Sequence, residues 1–541
     1  MEQSFALDHD PTRWGVAPGG GIDERARQFL VAAVGEGSPR HDVAWDEVRV
    51  APSRLRDDQV AGLRSLLADD AVDLSDAGRR RFAGGLSYLD LLARRSDSVH
   101  AADAVVFPTS EDEVSAILAW CGREGVAAVT FGGGTSVVGG VRTEGLDRPS
   151  VMISTARMAD LIDVDVESHL VTVGPGMTGP ELERLLAPRG LTMGHYPQSW
   201  QRATIGGYVA TRSAGQASSG YGRSDEMVES LRLVTPIGTW DVGRAPASAA
   251  GPDLRQLIVG SEGAFGVITQ VTLRVRTLPP AQSYTAVIFP DYESGLAAFR
   301  DLVHEGAEAD VMRLSDPEET AVTLAMSGPD GRAADLLERY LGVRRVRDKA
   351  MAILGWEGSR KSVTARRVEA LASLRRHGAV SLGPTVGSAW RRHRFDGPFL
   401  RDELLDEGYL VETLETATTW SRVAELRAAL QTSLKESLGD GGPGPYVMSH
   451  VSHVYETGAS LYLTVLARQR GDDPQQWRTA KSAATELMAD FGATITHHHA
   501  VGRDHAPWLA REIGDLGIDV LRSVKRTLDP QDILNPGVLG L

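Results

Sequence analysis

The sequence predicts an α+β protein whose helices and sheets are divided among several domains. A strand-helix-strand pattern lies at 104–131, strand patterns continue to about 280, and amphipathic helices mix with strands beyond that point. The 541 residues are 42% apolar and 24% charged, and at about 150 residues per domain they supply roughly three to four domains. We therefore expect a folded protein with a sizeable core.

Four regions follow from the change of pattern along the chain. The first is polar and has weak helical periodicity, the second is rich in strands and ends near Leu278-Pro279-Pro280, and the third mixes both. The predicted regions are an N-terminal helical region at 1–98, a strand-rich domain at 99–280, a mixed domain at 281–500, and a C-terminal helical segment at 501–541 that packs back on the strand-rich domain.

Charge and cysteine content exclude several classes of function. The net charge of −15, with no concentrated basic stripe, argues against nucleic-acid binding. The single cysteine, Cys121, excludes an internal disulfide, a thiolate zinc site and a cysteine-held iron–sulfur cluster. No stretch has the roughly 18 uncharged apolar residues of a membrane span. A soluble cytoplasmic protein is therefore expected.

The first strand-helix-strand unit is defined by its cap residues. A strand at 104–108 precedes Ser110, which has capping-box spacing to Glu113, and Gly125 can end the helix before a strand at 126–131. Four residues at helical spacing should face a core: Val114, Ile117, Leu118 and Cys121. We therefore interpret Cys121 as a small buried apolar residue.

Further elements follow the same signals. Thr178 and Glu181 have capping-box spacing and predict a helix that ends near Gly190. Strands are predicted at 151–155, 161–165, 170–175, 231–236 and 266–275, and helices at 24–34, 58–67, 292–304, 423–438 and 508–528.

The strongest local signal for a ligand is TFGGGTSVVGG at 130–140, where a strand runs directly into three glycines. Gly132, Gly133 and Gly134 allow successive backbone N–H groups to face one anion, and Thr135 and Ser136 add hydroxyl donors. The stretch has neither the G-x-G-x-x-G fingerprint nor the lysine of a P-loop, so it indicates a phosphate without indicating NAD or ATP. A plain tight turn is the alternative.

Two more glycine-rich stretches, at 204–222 and 260–269, follow in the same region. In order and spacing, the three stretches resemble the FAD-binding domain of the vanillyl-alcohol oxidase/p-cresol methylhydroxylase flavoprotein family. The resemblance implies a two-subdomain FAD-binding domain at 99–280 and a cap domain, which binds substrate, at 281–500. It assigns the pyrophosphate to Gly132, Gly133, Gly134, Thr135 and Ser136, and the other cofactor contacts to Gln198, Ser199, Thr204, Gly206, Gly207, Thr211, Arg212, Ser213, Glu262, Gly263, Gly266, Val267 and Ile268.

The resemblance also bears on how the flavin is held. Members that attach flavin covalently use a histidine or a cysteine, and neither stands in TFGGGTS. We therefore expect a non-covalent FAD.

The C-terminal half resembles one branch of that family, the alkyldihydroxyacetonephosphate synthases. The resemblance is carried by the stretch from THHHAVG to DILNPG at 496–537, and by GHYPQS, VMRLSD, FLRD and VYETGASLYL earlier in the chain. It implies a transferase that exchanges the acyl chain of acyl-dihydroxyacetone phosphate for a long-chain alcohol through a flavin N5–substrate adduct, without net oxidation. The implied partners are this phosphorylated lipid and the alcohol, with peripheral membrane contact and a homodimer.

A second branch, the flavoprotein 2-hydroxyacid dehydrogenases, is the alternative. Its members carry a GH-x-GDGN-x-H metal-binding stretch and a later EHG, where this chain has SHVSHVYETGASLY at 449–462 and THHHAVG at 496–502. The lost acidic and amide ligands leave fewer donors for a divalent metal, so no metal is predicted. A flavin-fold scaffold without activity is a third interpretation.

The catalytic residues are assigned by resemblance to the synthases. Tyr462 matches their essential tyrosine, and the matching triplet is His497, His498 and His499. A phenol with a pKa of about 10 needs a neighbouring cation or histidine to exchange protons near neutral pH. On a strand His497 and His499 would point away from His498, which argues against metal binding by the triplet. Packing in a core is the alternative for Tyr462.

Two arginines are assigned to the substrate in the same way. Arg313 in VMRLSD and Arg401 in FLRD match synthase arginines, and a planar guanidinium suits a phosphate or carboxylate. Taken without the resemblance, either could be an ordinary surface arginine. Gln198 stands where the synthases often have Asp, and His450 where they have Arg.

Overall fold

The computed structural model describes residues 11–14, 22, 24–39, 42–327 and 331–541. The predicted N-terminal region at 1–98 therefore falls partly outside the described residues. The helices in the described part are α1 (Glu24–Val34), α2 (Asp57–Arg64), α3 (Asp76–Arg81), α4 (Tyr88–Arg94), α5 (Glu111–Glu124), α6 (Gly179–Leu186), α7 (Ile205–Thr211), α8 (Ser218–Tyr221), α9 (Ser224–Met227), α10 (Arg255–Ile258), α11 (Tyr292–His304), α12 (Pro317–Ser327), α13 (Gly331–Val343), α14 (Arg360–Arg376), α15 (Pro384–His393), α16 (Gly397–Asp406), α17 (Val423–Leu438), α18 (Asp473–Asp490) and α19 (Leu509–Leu528).

The strands of the described part form three main sheets and two short two-stranded ones. They are β1 (Arg49–Val50), β2 (Val72–Asp73), β3 (Ser98–Val99), β4 (Ala104–Val106), β5 (Ala127–Phe131), β6 (Ser150–Ser154), β7 (Leu161–Asp165), β8 (Leu170–Val173), β9 (Leu191–Thr192), β10 (Val228–Thr235), β11 (Gly238–Val242), β12 (Val267–Arg274), β13 (Arg276–Thr277), β14 (Ala281–Phe289), β15 (Val311–Ser315), β16 (Ala350–Gly358), β17 (Val380–Gly383), β18 (Tyr409–Thr419), β19 (Tyr446–Val451), β20 (Val454–Tyr455) and β21 (Gly458–Arg468).

The first strand-helix-strand unit folds as its caps predict. The Ser110 hydroxyl accepts a hydrogen bond from the Glu113 N–H at 3.2 Å, and Gly125 ends α5 at a φ of 65°. The four predicted core residues of α5 are fully buried. β4 and β5 are not neighbours, because β6 lies between them and pairs in parallel with both in the order β2-β4-β6-β5.

A second sheet completes this half of the molecule. It is antiparallel, in the order β11-β10-β12-β8-β7, and α6 and α7 pack into the same core. The Thr178 capping box is present as predicted, with the Thr178 hydroxyl and the Glu181 carboxylate exchanging hydrogen bonds with the backbone. The two sheets are the α+β arrangement expected of the strand-rich region.

The third sheet is large and antiparallel, and its register sets up the chemistry. β14 to β21 run in the order β17-β14-β16-β15-β19-β21-β18, with β20 paired to β21. His450 on β19 lies directly opposite Tyr462 on β21, and Tyr462 lies directly opposite Glu415 on β18. Residues opposite each other share a face of a sheet, so these three side chains form one row.

The C-terminal segment returns to the first half of the chain. Leu534 forms a parallel bridge with Ala128 beside β5, and the Asn535 side-chain amide donates to the carbonyls of Gly140 and Glu262 at 2.9 and 2.8 Å. The buried Lys525 ammonium donates to the Asp529 carboxylate at 2.8 Å and to the Ala264 carbonyl at 3.1 Å. These bonds fasten the end of the chain beside the glycine-rich loops.

We predict that Lys525→Met destabilises the protein by about 3 to 5 kcal/mol, because the Asp529 carboxylate is left buried without its counter-charge. Equilibrium unfolding in urea measures the change. The double variant Lys525→Met/Asp529→Leu should recover part of the loss, and Arg526→Met, on the exposed side of α19, serves as the control. A loss below about 1 kcal/mol in the single variant would contradict the prediction.

Candidate functional site

One cavity of about 760 Å³ lies between the two sheets of the first half and the third sheet. This volume is within the range of small-molecule and cofactor sites, roughly 300 to 1,000 Å³. Its wall combines the glycine-rich loops with Tyr462, His498 and His499. Most of the predicted cofactor residues and three of the four predicted catalytic residues therefore line the same cavity.

The glycine loop is shaped for an anion. A Cβ on Gly132 would collide with the Thr204 hydroxyl, and one on Gly133 would collide with the Arg202 carbonyl, so the loop needs glycines to lie against the segment 202–204. In the described part of the chain, the backbone N–H groups of 133–137 have no hydrogen-bond partner, although these residues line the cavity. Consecutive unpaired N–H groups fit a pyrophosphate well.

Most other residues predicted to bind the cofactor also reach the cavity. Those in its wall are Gly132, Gly133, Gly134, Thr135, Ser136, Gln198, Ser199, Thr204, Gly206, Gly207, Thr211, Ser213, Glu262, Gly263, Gly266 and Ile268. Gln198 is held by two hydrogen bonds, because its amide donates to the Arg394 carbonyl at 3.1 Å and accepts from Gln216 at 2.8 Å.

Two predicted cofactor residues do not line the cavity. Arg212 ends α7 at a φ of 52°, and its guanidinium donates to the Val259 carbonyl and to Gln256. Val267 begins β12 and is fully buried in the core around α5. The Val267 side chain therefore points into the core, while the Arg212 side chain is held by the segment 256–259, and neither lines the cavity.

Glu262 connects the glycine-rich half to the histidine segment. Its buried carboxylate accepts hydrogen bonds from the N–H groups of Val501 and Gly502 at 2.9 Å. Burial raises the pKa of Glu262 to about 7, although these two N–H donors act in the opposite direction. The residue therefore fixes the loop that carries the histidines against the cofactor side of the cavity.

The histidine triplet does not form a strand, and the expected alternation of its side chains is wrong. Residues 497–499 form a bend whose three consecutive N–H groups all donate to the Glu415 carboxylate at 2.8 Å. The Thr496 hydroxyl donates to the same carboxylate at 2.8 Å. A turn around one anion replaces the strand because it satisfies three neighbouring donors at once.

The bend brings two of the three rings to Tyr462. The His498 and His499 rings lie 6.1 and 5.8 Å from the Tyr462 ring, and the His450 ring stacks on the Tyr462 ring at 4.8 Å. His497 is not in the cavity wall, and its Nε2 lies 2.6 Å from the Tyr455 hydroxyl. Of the predicted catalytic set, the structure therefore assembles Tyr462, His498 and His499 and places His497 behind them.

The protonation states follow from this environment. Burial raises the pKa of Glu415, but the neighbouring histidines outweigh that effect and hold it well below 4.5. Burial lowers the pKa of His499 to about 3 and raises the pKa of Tyr462 to about 12. At neutral pH the site therefore contains a protonated phenol, a neutral His499 and a buried carboxylate.

Among the described residues one set of potential metal ligands converges. Nitrogen atoms of His453, His497 and His498 lie within 4.8 Å of one another. Two ring nitrogens of the set are already in hydrogen bonds, His453 with Ser218 and His497 with Tyr455. The predicted absence of a metal stays a prediction.

The two predicted substrate arginines both line the cavity but differ in their partners. Arg313 donates to the Glu319 carboxylate at 2.5 Å and is therefore already paired. Arg401 donates to the Leu86 carbonyl at 2.9 Å and has the Glu412 carboxylate 3.7 Å away, while its Nε and Nη2 are buried without a hydrogen-bond partner in the described residues. Arg401 has the free donors that an anion requires.

The cavity wall also contains residues that the sequence did not single out as site residues, among them Trp14, Glu319 and Arg394. Trp14 lies in the N-terminal region, and its backbone N–H donates to the Asp402 carboxylate at 2.6 Å. Glu319 receives Arg313, as described above, and lies 3.2 Å from His450 Nδ1. Arg394 follows α15 in the run RRHR, which in sequence is typical of a solvated surface.

Comparison with known proteins first defines the class. The description "FAD binding domain" matches residues 102–242, and "FAD linked oxidases, C-terminal domain" matches residues 278–539. A structure of p-cresol methylhydroxylase with bound substrate shares the fold, with a TM-score of 0.65 and 16% identity over 91% of this chain and 98% of that one. The fold and the cavity are those of an FAD-dependent flavoprotein of this type.

The family follows from closer relatives. The alkyldihydroxyacetonephosphate synthase of Dictyostelium discoideum is 31% identical over 91% of this chain and 82% of its own length. A solved structure of an alkyldihydroxyacetonephosphate synthase matches with a TM-score of 0.80 and 27% identity, over 94% of this chain and 92% of that chain. The mitochondrial D-lactate dehydrogenase of Arabidopsis thaliana is more distant, at 27% identity over 92% of this chain and 82% of its length. The chain belongs to the alkyldihydroxyacetonephosphate synthase family.

We predict that Glu415→Gln destabilises the protein by about 2 to 3 kcal/mol at pH 7, because charge-assisted hydrogen bonds to three N–H groups are lost. A carboxylate whose folded pKa lies below its ordinary value of 4.5 stabilises the fold above that pH and loses the effect as the pH falls through the folded pKa. The difference between wild type and variant, measured by urea unfolding, should therefore narrow below about pH 4.5. A difference that does not depend on pH would contradict it.

We also predict that the FAD is bound without a covalent link, because no histidine or cysteine stands in 130–136. Precipitation of the yellow protein with trichloroacetic acid should release all of its flavin into the supernatant. Flavin that stays with the pellet, and is still attached to peptide after proteolysis, would contradict this.

Proposed function

We propose that the protein exchanges the acyl chain of an acyl-dihydroxyacetone phosphate for a long-chain alcohol, giving an ether-lipid precursor. The bond between the substrate carbon and the ester oxygen breaks, and both ester oxygens leave with the fatty carboxylate. The alcohol oxygen forms the new C–O bond, and its proton is released, so the reaction needs no electron acceptor. One observation carries the proposal: the glycine loop, Tyr462 and the two histidines share a single cavity in a chain of this family.

The residues present fit the cofactor. The unpaired N–H groups of 133–137 would hold the pyrophosphate, and the remaining wall from Gln198 to Ile268 would enclose the ribityl chain and ring. When bound, the flavin would supply a nucleophilic ring nitrogen to the reaction. Holding the reactants in one closed space is the main contribution of the protein to such a step.

Tyr462 and the histidines manage the proton. The Tyr462 phenol keeps its proton at neutral pH, so it can donate a hydrogen bond to the substrate oxygen. The neutral His499 beside it can accept a hydrogen bond from the attacking alcohol and so orient the alcohol oxygen. Glu415 holds the backbone of this loop and acts through position. The role predicted for the triplet is thus divided: His498 and His499 line the cavity, and His497 lies behind them.

The cavity wall also suits the two parts of the substrate. Arg401 offers unpaired donors for the phosphate, while Arg313 is already paired with Glu319. Apolar side chains line another part of the wall, namely Val311, Met312, Met351, Ile353, Val386, Ala389 and Trp390. Aliphatic chains gain about 0.8 kcal/mol for each buried CH₂ group, which favours long-chain substrates.

The proposal extends to surroundings that support such a reaction. Lipid substrates require peripheral contact with a membrane; in the described residues no helix has the length and apolar character to cross one. The buried Cys121 is compatible with a cytoplasmic location. Leu516 and Val520 are exposed one turn apart on the part of α19 that follows the break at Gly514, and this apolar surface supports a homodimer.

The test is an anaerobic incubation of FAD-loaded enzyme with palmitoyl-dihydroxyacetone phosphate and hexadecanol, with no electron acceptor. Mass spectrometry should show one alkyl ether formed for each palmitate released. Absence of the ether, together with bleaching of the flavin by a small 2-hydroxy acid, would contradict the proposal and favour the oxidoreductase branch.

We predict that Tyr462→Phe lowers kcat/KM for ether formation by about 10² to 10⁴-fold, because the phenolic proton is lost from the site. Flavin content and thermal stability should stay at the wild-type level. Tyr409→Phe is the matched control, since Tyr409 lies on β18 away from the cavity, in hydrogen bonds with Gly35 and Gly37. Full activity in Tyr462→Phe would remove the residue from this role.

A further inference from the structure

Arg394 is a partly buried cation that the mechanism has not used. Its guanidinium is in the cavity wall, and its Nε and Nη1 are buried without a hydrogen-bond partner in the described part of the chain. None of the described carboxylates pairs with it, whereas Arg313 has Glu319 and Arg401 has Glu412 at 3.7 Å. Shielded guanidinium nitrogens without a partner are costly, and a ligand that supplies acceptors and the opposite charge would remove that cost.

The surroundings of Arg394 indicate the kind of anion. Its guanidinium lies over the rings of Tyr196 and Phe395, 5.1 and 4.9 Å from their centroids. The preceding helix, α15, presents Val386, Ala389 and Trp390 to the same cavity at helical spacing. A charged group at Arg394 would thus continue into an apolar stripe, which suits an anion with an aliphatic chain better than a strongly hydrated phosphate.

The proposed reaction needs two anion sites at once. The phosphate of the substrate stays bound while the fatty carboxylate forms and leaves. Arg401 has the polar setting, because its guanidinium donates to the Leu86 carbonyl at 2.9 Å and lies 3.7 Å from the Glu412 carboxylate. Arg394 has the apolar setting, directly after the helix that carries Val386, Ala389 and Trp390.

We propose that Arg394 binds the carboxylate of the departing fatty acid, with the aliphatic chain along the apolar face of α15, while Arg401 holds the phosphate. This inference rests on the proposed function. It makes Arg394 a substrate-binding residue and the α15–α16 segment the element that carries both anion-binding arginines.

The test is isothermal titration calorimetry on the FAD-loaded, full-length protein with three probes. Decanoate carries the carboxylate and a chain, 1-decanol carries the chain alone, and dihydroxyacetone phosphate carries the phosphate. Arg394→Gln should weaken decanoate binding about tenfold, the size of a lost charge-assisted contact. Binding of 1-decanol and of dihydroxyacetone phosphate should stay within about twofold.

Matched variants make the result specific. Arg401→Gln should give the reverse pattern, weakening dihydroxyacetone phosphate and sparing decanoate. Arg394→Lys should recover part of the decanoate affinity because it keeps the charge. Arg392→Gln, an exposed arginine of the same helix outside the cavity wall, should match wild type in all three titrations.

Three results would overturn the inference. They are unchanged decanoate binding in Arg394→Gln, equal weakening of decanoate and dihydroxyacetone phosphate, and loss of flavin from this variant, which would assign the guanidinium to the cofactor. The anaerobic ether assay, run on the same wild-type preparation, separates this from the proposed function. Ether formed by a wild type whose Arg394→Gln variant binds decanoate normally contradicts the inference alone.

Discussion

The whole site depends on one buried carboxylate. The Glu415 carboxylate accepts hydrogen bonds from the backbone N–H groups of three consecutive histidines, and this constraint turns 497–499 into a bend beside the third sheet. Because Glu415 lies opposite Tyr462 in that sheet, the same residue sets the distance between the phenol and the two histidine rings. The surrounding imidazoles in turn keep the carboxylate ionised in a place where burial alone would protonate it. The contact between Glu415 and the histidine segment therefore fixes both the position of the histidines and the ionised state of the carboxylate.

The cavity is built jointly by distant parts of the chain. The glycine loop after β5 provides unpaired N–H groups, and Glu262 carries the constraint across to Val501 and Gly502, directly after the histidines. Asn535 closes the arrangement by bonding to the backbone of both loops. These hydrogen bonds fix the cofactor side of the cavity relative to Tyr462 and the histidines. A reaction between two substrates requires such precise positioning.

Local signals in the sequence predicted most of this fold, because caps and periodicity act within a few residues. Ser110, Gly125 and Thr178 mark their helix ends as expected, and α17 spans the predicted residues. The histidine bend was not predictable, since the carboxylate that shapes it lies 82 to 84 residues earlier in the chain. Arg394 escaped for a similar reason: a run of four basic residues looks solvated until α15 and α16 fold it toward the cavity.

Hydrogen–deuterium exchange of the segment 495–502 tests the organising role of Glu415 most directly. The account predicts that the three histidine amides of the FAD-loaded wild type exchange slowly, and that Glu415→Gln speeds their exchange at least about tenfold while peptides from α17 keep wild-type protection. Histidine amides that exchange in the wild type at the rate of an unprotected loop, or that stay equally protected in the variant, would contradict it.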